Sequence, residues 1–152
     1  MTEPKRNRAR AIIFLEDKIV SMYREFQDRV FYTFPGGGME GEETEEECVV
    51  REVKEEFGMD VRPVKKVYIY DGKKGTEHFY VCEWLSGTFG SGEGEEFGEN
   101  KNQGYYKPTQ IKVLDIPSLP LMPPEVAKAV FEDYVQNGNA LRHDVKVIEQ
   151  QD

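Results

Sequence analysis

The segment that most constrains this chain is a glycine-rich turn that leads into a helix with an unusual distribution of charge. Residues 37–59 start with glycines and continue into a run that carries Glu52, Glu55 and Glu56 before Gly58. The last turn of a helix carries negative partial charge, which disfavours each carboxylate there by roughly 0.3–1 kcal/mol. At about 100° per residue the glutamates share one arc, where like charges repel by about 0.2–0.5 kcal/mol per pair. This unfavourable cluster predicts a bound cation.

The start and the apolar side of the same helix follow ordinary rules. Thr44 with Glu47 three residues later predicts a capping box, and Gly58 predicts a left-handed stop. One side has the spacing of a helix that packs on a sheet, and it consists of Val49, Val50, Val53 and Phe57. We therefore expect a helix over residues 44–57 that presents its acidic edge from a fixed backbone.

The acidic edge has two interpretations. A solvated face is the commoner meaning of a run of charge. The preceding glycine turn and the embedded cations Arg51 and Lys54 favour a metal site instead. Hard divalent cations prefer oxygen ligands, and Mg²⁺ takes a few carboxylates and completes its shell with water and substrate phosphate. We therefore expect Mg²⁺ as the cofactor.

The fixed positions in this segment resemble a complete Nudix box. Gly37 is followed after five residues by Glu43, and after seven more by residues 51–59, which read Arg-Glu-Val-Lys-Glu-Glu-Phe-Gly-Met. The lead-in at residues 34–38, Phe-Pro-Gly-Gly-Gly, is also typical of that family. The resemblance implies a fold of the α/β class, a Nudix-type α/β/α sandwich with a mixed β-sheet between helices.

The resemblance also implies a reaction and the residues that perform it. The resemblance implies a Mg²⁺-dependent hydrolase, with Mn²⁺ able to substitute, that cleaves nucleoside diphosphates linked to another group, X, and releases a nucleoside monophosphate. Arg51 would orient the glutamates, Glu43 would brace the loop against Arg51, and Glu52 would be a metal ligand or the base that activates water. The implied metal ligands are the carbonyl of Gly36 and the side chains of Glu52, Glu55 and Glu56.

A further metal ligand is expected from a loop beyond the box, because family members often supply a glutamate there. The segment 86–104 is rich in Gly and Glu and almost devoid of apolar residues. Glu96 is the first choice and Glu95 the second, with Glu93 and Glu99 also available. The alternative for each of them is a solvated loop residue.

Residues that could bind the substrate surround the glycine turn. Gly37 and Gly38 allow the backbone to approach phosphates closely. Arg10 and Arg24, near strand ends, could contact phosphates, although an isolated surface arginine is usually solvated. Phe34 could stack on a base, although an aromatic residue in a strand is more often part of the core.

The identity of X is read by elimination. Markers of the ADP-sugar, diadenosine polyphosphate and coenzyme A subgroups are missing or not convincingly placed around the box. We therefore expect a MutT-like (deoxy)nucleoside triphosphate pyrophosphatase. An ADP-sugar or dinucleoside polyphosphate hydrolase, a non-catalytic nucleotide sensor and an acidic interaction module are the alternatives.

Composition limits the partners and the compartment. The formal net charge of −9 over 152 residues argues against binding to a nucleic-acid polymer, since such proteins present a basic surface. Apolar runs are too short for a membrane span or a signal peptide. We expect a cytoplasmic protein that acts on a small nucleoside diphosphate derivative, with a homodimer left open. Cys48 and Cys82 are expected to be reduced packing residues.

A coarse reading of the chain gives strands and two helices within a single Nudix domain over residues 1–152. Strands are expected at residues 10–15, 18–24, 30–34, 64–70, 77–85 and 105–114. Pro123 and Pro124 are expected to open a second helix that ends near Gln136. The core is expected over about residues 8–137, followed by a polar tail at 138–152, in which residues 145–148 could add a short strand.

Overall fold

The computed structural model describes residues 6–91 and 104–152 in full, and residues 98–100 by their backbone. The two helices are α1 (Glu45–Phe57) and α2 (Pro124–Asn137). Short 3₁₀ helices cover Val113–Ser118 and Gly138–Ala140. The strands are β1 (Arg6–Leu15), β2 (Lys18–Phe26), β3 (Arg29–Thr33), β4 (Gly36–Gly38), β5 (Met59–Asp71), β6 (Gly75–Gly87), β7 (Gly98–Asn100), β8 (Gly104–Lys112), β9 (Leu121–Met122) and β10 (Lys146–Glu149).

The strands form one mixed sheet in the order β10-β5-β6-β1-β2-β3-β9, with β4 paired to β1, β8 to β2 and β7 to β8. Three pairs are parallel, namely β1 with β6, β5 with β10 and β3 with β9. The other pairs are antiparallel, and the tight β1–β2 and β2–β3 connections suit that arrangement. The mixed β-sheet expected from the sequence is therefore confirmed.

Each face of the sheet is covered by one helix, because side chains alternate along the strands. In β1, Ala9, Ala11 and Ile13 join the core cluster under α1, whereas Ile12 joins the cluster under α2. From the helices, α1 buries Cys48, Val49, Val53 and Phe57, and α2 buries Val126, Ala127, Ala129 and Val130. This two-sided packing confirms the α/β/α sandwich.

The ends of α1 also match their prediction. The Thr44 hydroxyl accepts a hydrogen bond from the Glu47 N–H at 3.1 Å, and the Glu47 carboxylate accepts one from the Thr44 N–H at 2.9 Å. Gly58 closes the helix with φ 72°, the left-handed conformation that glycine adopts without strain. The helix is thus fixed at both ends as well as along its apolar side.

Several boundaries differ from the sequence prediction, and three of these differences concern the segments after the box. Strand β5 begins at Met59, directly after the helix, and accommodates Pro63 at a shift of register between Pro63 and Lys65. Strand β6 continues to Gly87, so the segment expected to be a loop starts within a strand and also contains β7. The residues after Lys112 form a 3₁₀ helix instead of prolonging β8.

The core also extends past residue 137, contrary to the expected boundary. Leu141 is fully buried, and Ile148 belongs to the same core cluster. Strand β10 pairs in parallel with β5, from Lys146 opposite Tyr68 to Glu149 opposite Asp71. The tail is therefore polar only in part, and the short strand expected at residues 145–148 is present as β10.

Both cysteines are free and buried, as predicted. Burial raises the pKa of the Cys48 thiol to about 11 and that of the Cys82 thiol to about 12. Across residues 6–91 and 104–152, no helix combines the length and apolar character needed to cross a membrane.

Candidate active site

The glycine strand β4 provides one wall of the site. It pairs with β1, and Gly36 lies opposite Arg10 with φ +138°. A Cβ atom at Gly36 would lie 2.1 Å from the Ala9 carbonyl oxygen, so this close pairing requires glycine. A Cβ atom at Gly37 would lie 2.7 Å from the carboxylate of Glu52, whereas one at Gly38 would meet nothing within 4 Å. Gly36 therefore permits the pairing of β4 with β1, and Gly37 leaves room for the carboxylate of Glu52.

Glu56 reaches this wall directly from α1. Its Oε1 accepts a hydrogen bond of 2.9 Å from the Gly36 N–H. The Gly36 carbonyl oxygen accepts one of 3.1 Å from Nη1 of Arg10. Because a carbonyl oxygen has two lone pairs, this contact leaves one acceptor position on Gly36. The predicted ligands Gly36 and Glu56 are thus adjacent in the structure.

Arg51 is the central cation of the site. It donates to both oxygens of Glu43, at 2.8 Å from Nη2 and 3.1 Å from Nε, and this confirms the predicted contact that braces the loop. Its Nη1 lies 3.1 Å from Glu52 Oε1 and 3.3 Å from Glu55 Oε2. Nη2 also donates to the Gly38 carbonyl at 3.1 Å. One guanidinium therefore fixes two of the helix carboxylates relative to the glycine strand.

These contacts change the acidity of the groups. Hydrogen bonds from Arg51 lower the pKa of Glu43 to about 2, and the same pair raises the pKa of Arg51. Burial raises the pKa of Glu52, and the neighbouring Arg51 opposes that rise. Glu52 is 16% exposed and Glu55 50% exposed. Glu52 consequently accepts a proton more readily than an ordinary glutamate.

The donor set fits a hard divalent cation in its chemistry, since it consists of carboxylate and carbonyl oxygens. Glu52 and Glu55 meet at one nitrogen of Arg51, and Glu56 meets the Gly36 backbone. Within the described residues, no group of three or more His, Cys, Asp or Glu side chains is arranged to hold a metal ion. A binding arrangement would require the carboxylates to turn from Arg51 and Gly36 towards a common point.

Only some of the remaining predicted site residues lie in the part of the chain that the structure describes. Glu96, Glu95 and Glu93 lie outside the described residues, and of Glu99 only the backbone in β7 is described. The Phe34 ring is 1% exposed and packs edge-to-face on Phe79 at 5.2 Å. This burial contradicts the expectation that Phe34 stacks on a base, because no face of its ring is accessible.

Arg24 is held by aromatic residues of neighbouring strands. Its guanidinium lies 4.4 Å from the ring centre of Tyr106 and 5.3 Å from that of Phe31, and Nη2 donates to the Tyr106 hydroxyl at 2.9 Å. These contacts hold Arg24 against β3 and β8. A role for Arg24 towards substrate remains a prediction.

Arg10 and Cys48 support the site in ways that the sequence did not reveal. Arg10 was expected either to contact phosphate or to be solvated, and its side chain proves to be only 17% exposed and pairs with Glu77 at 2.8 Å. The sequence indicated the burial of Arg10 only by placing its charge at the start of the apolar run of β1. The Cys48 thiol lies 3.5 Å from the carbonyl oxygen of Gly37 and 3.6 Å from that of Gly38. This thiol therefore contacts the glycine strand from the buried side of α1.

Comparison with protein families agrees with this geometry. A family model described as the NUDIX domain matches residues 4–128, most of the chain. The chain belongs to the Nudix family. The prediction of a Nudix pyrophosphohydrolase is thereby confirmed at the level of the enzyme class. A comparison with curated protein sequences gives no match.

Solved structures share the Nudix fold over nearly the whole chain. An ADP-ribose pyrophosphatase from Streptococcus suis is 25% identical, with a TM-score of 0.63 and coverage of 97% of this chain and 100% of that chain. A Nudix hydrolase from Nitrosomonas europaea is 16% identical, with a TM-score of 0.72 and coverage of 99% and 82%. A MutT protein from Bacillus halodurans is 18% identical, with a TM-score of 0.61 and coverage of 96% and 90%.

Proposed function

We propose that this Nudix hydrolase cleaves a nucleoside diphosphate linked to X in a Mg²⁺-dependent reaction, as a MutT-like (deoxy)nucleoside triphosphate pyrophosphatase that releases a nucleoside monophosphate. The observation that supports it is the row of α1 carboxylates beside the Gly36 backbone, two of them held by Arg51. Their mutual repulsion is unfavourable in the free protein. A cation would remove it.

The residues that would hold Mg²⁺ are the Gly36 carbonyl, Glu52, Glu55 and Glu56, with Glu96 as the candidate beyond the box. Bound Mg²⁺ would neutralise phosphate charge, polarise the phosphorus centre and lower the pKa of water. An acidic site would otherwise repel a diphosphate, so the metal would invert the local charge. Phosphoryl transfer depends mainly on such positioning and charge stabilisation.

The side chains divide the remaining tasks. Glu52 would act either as one of these metal ligands or as the base that takes the proton of the attacking water, and burial, which raises its pKa, favours the second role. Arg51 holds Glu52 and Glu55 and neutralises part of their charge until metal and substrate bind. Gly37 leaves room for the Glu52 carboxylate, since a Cβ atom there would lie 2.7 Å from it.

Substrate binding draws on the glycine strand and on Arg24. The backbone of Gly37 and Gly38 can approach phosphates closely because neither residue carries a side chain. Arg24 is restrained against Tyr106, so it would contact an anionic group with little loss of side-chain entropy. A small nucleotide suits a chain with a net charge of −9 better than a nucleic-acid polymer does. We place the reaction in the cytoplasm.

One alternative substrate has a specific observation in its favour. The Streptococcus suis protein that is 25% identical over nearly the whole chain is an ADP-ribose pyrophosphatase. Hydrolysis of an ADP-sugar is therefore the second candidate. It uses the same carboxylates and differs only in the group X.

A substrate panel tests the proposal. Purified protein is incubated with dGTP, ATP, ADP-ribose, a UDP-sugar and diadenosine tetraphosphate in Mg²⁺, Mn²⁺ or EDTA, and released nucleoside monophosphate is measured by chromatography. We expect release from a nucleoside triphosphate with Mg²⁺ and none with EDTA. Preference for ADP-ribose would select the second candidate. Absence of monophosphate from every substrate with either metal would refute the hydrolase proposal.

Matched variants test the site itself. Glu55→Gln and Glu56→Gln should each reduce kcat on the order of a hundredfold, the cost of losing one group that stabilises developing charge. Glu132→Gln, at an exposed position on α2, is the same substitution away from the site and should leave kcat unchanged. If nucleotide bound with Mg²⁺ in titration calorimetry without turnover, the chain would be a sensor. Metal-independent binding of a basic protein would indicate an interaction module.

A further inference from the structure

A cavity of about 400 Å³ opens on the α2 side of the sheet, next to the glycine strand. Its charged lining consists of Arg8, Arg10, Lys73, Lys74 and Glu77, so four cations face one carboxylate. The other lining residues carry no formal charge. This balance is opposite in sign to that of the whole chain, whose net charge is −9. The net positive charge of this lining therefore favours an anion.

Two of the cations already have partners. Glu77 accepts a hydrogen bond of 2.8 Å from Arg10, and Lys73 lies 2.8 Å from a carboxylate oxygen of Asp152. Arg8 is different. Among the residues that the structure describes, its side chain makes neither a hydrogen bond nor an ion pair. The one carboxylate of the cavity is thus hydrogen-bonded to Arg10 and acts on Arg8 only through space.

The position of Arg8 makes its charge unfavourable. Arg8 and Arg10 are two residues apart in β1, so their side chains leave the same face of the strand about 7 Å apart. Arg8 is partly buried, and burial together with the neighbouring Arg10 lowers the pKa of its guanidinium, against an opposing effect of the Glu77 carboxylate. An arginine in this setting is stabilised by an anion that enters the cavity.

The cavity adjoins the acidic site through one residue. Arg10, which lines the cavity, donates to the Gly36 carbonyl at 3.1 Å, and the Gly36 N–H donates to Glu56 at 2.9 Å. The backbone of Gly36 therefore has the carboxylates of α1 on one side and the cations of β1 on the other. A chain of phosphates that starts at the acidic edge can pass this backbone and continue into the cavity.

We propose that Arg8 binds the phosphate that follows the cleaved diphosphate, so that the preferred substrates are nucleotides with three or more phosphates in a row. This rests on the proposed function, because the diphosphate must first lie at the acidic edge. A neutral terminal sugar, as in ADP-ribose, offers Arg8 no counter-ion. Lys74, at the exposed turn between β5 and β6, adds a weaker attraction.

The test compares binding of two analogues that cannot be cleaved. The α,β-methylene triphosphate and the α,β-methylene diphosphate of the same nucleoside, the one that the substrate panel selects, are titrated calorimetrically in Mg²⁺. The wild-type protein should bind the triphosphate about tenfold more tightly, the effect of one charge-assisted hydrogen bond. Arg8→Gln should remove this difference, and Arg8→Lys should restore part of it.

Arg62→Gln is the matched control. It removes the same charge at an exposed position in β5 opposite Glu83, which lies six residues along β6 from Glu77, roughly 20 Å from the cavity. It should keep the tenfold difference. Equal binding of both analogues by the wild-type protein, or equal weakening of both by Arg8→Gln, would overturn the proposal. Failure of the hydrolase proposal is recognised separately, since the substrate panel would then release no monophosphate.

Discussion

Replacement of Glu43 by Gln should destabilise the protein at neutral pH, because Glu43 is the main counter-ion of Arg51. The carboxylate accepts hydrogen bonds of 2.8 and 3.1 Å from the guanidinium. It also accepts one of 2.8 Å from the Glu40 N–H. Glutamine keeps the shape of the side chain and one acceptor oxygen, so the substitution removes charge with little change of packing.

The magnitude follows from the type of bond. A hydrogen bond to a charged group contributes about 1.5–3 kcal/mol, and a neutral one about 0.5–1.5 kcal/mol. The Glu43 side chain is 15% exposed, so water screens it only in part. We expect Glu43→Gln to lower the free energy of unfolding by about 2 kcal/mol. For a chain of this length that corresponds to a fall in Tm of about 4–8 °C.

The effect should depend on pH in a defined direction. The pKa of Glu43 is lowered from 4.5 to about 2 in the folded protein. A lowered pKa stabilises the folded state above the unfolded value, and the contribution is lost as pH falls from about 4.5 towards 2. The difference in unfolding free energy between wild type and Glu43→Gln should therefore be constant from pH 7 to 5 and shrink from pH 4.5 to 3.

The assay is urea unfolding followed by circular dichroism, in EDTA so that metal does not contribute. Glu40→Gln is the control, because Glu40 is 73% exposed and lies 3.7 Å from the same arginine. It should change the free energy of unfolding by less than about 0.5 kcal/mol. Equal effects of the two substitutions, or a Glu43→Gln effect that does not change with pH, would refute the reasoning.

Two further predictions concern the glycine strand and the thiols. Gly36→Ala should lower the free energy of unfolding by several kcal/mol or prevent folding, whereas Gly38→Ala should leave the Tm unchanged. Gly37→Ala should keep the fold, because the flexible Glu52 carboxylate can move aside, but it should lower kcat. Thermal unfolding and turnover measure these outcomes, and equal Tm values for all three variants would contradict the prediction. Cys48 and Cys82 should not react with Ellman's reagent in the native protein at pH 8, because burial raises both pKa values, and they should react in denaturant. Fast labelling of the native protein would contradict this prediction.

The helix and its acidic edge could be predicted from the sequence because their determinants are local. The capping box, the left-handed stop and the apolar side all lie within one segment, and each is present in the structure. The bracing contact between Glu43 and Arg51 spans only eight residues. Short-range patterns of this kind fix both the backbone and the positions of the carboxylates.

Features that depend on distant pairing could not be predicted. Phe34 was a reasonable candidate for stacking until its contact with Phe79 was known, and that contact joins strands far apart in the chain. The early start of β5 was hidden by Pro63, which the strand tolerates through a shift of register against β6. A short strand in the tail was expected, but its parallel pairing with β5 was not, because the sequence offers only a few apolar residues there.

The distribution of charge across Gly36 suggests why this residue is a fixed part of the site. A Cβ atom there would meet the Ala9 backbone at 2.1 Å, so β4 can approach β1 closely only with glycine at this position. That approach brings Arg10 to the carbonyl and Glu56 to the N–H of one peptide residue. Opposite charges then lie on two sides of a single backbone segment. Because any larger residue would separate β4 from β1, it would weaken both contacts together, and the acidic and basic parts of the site should be lost in the same variant.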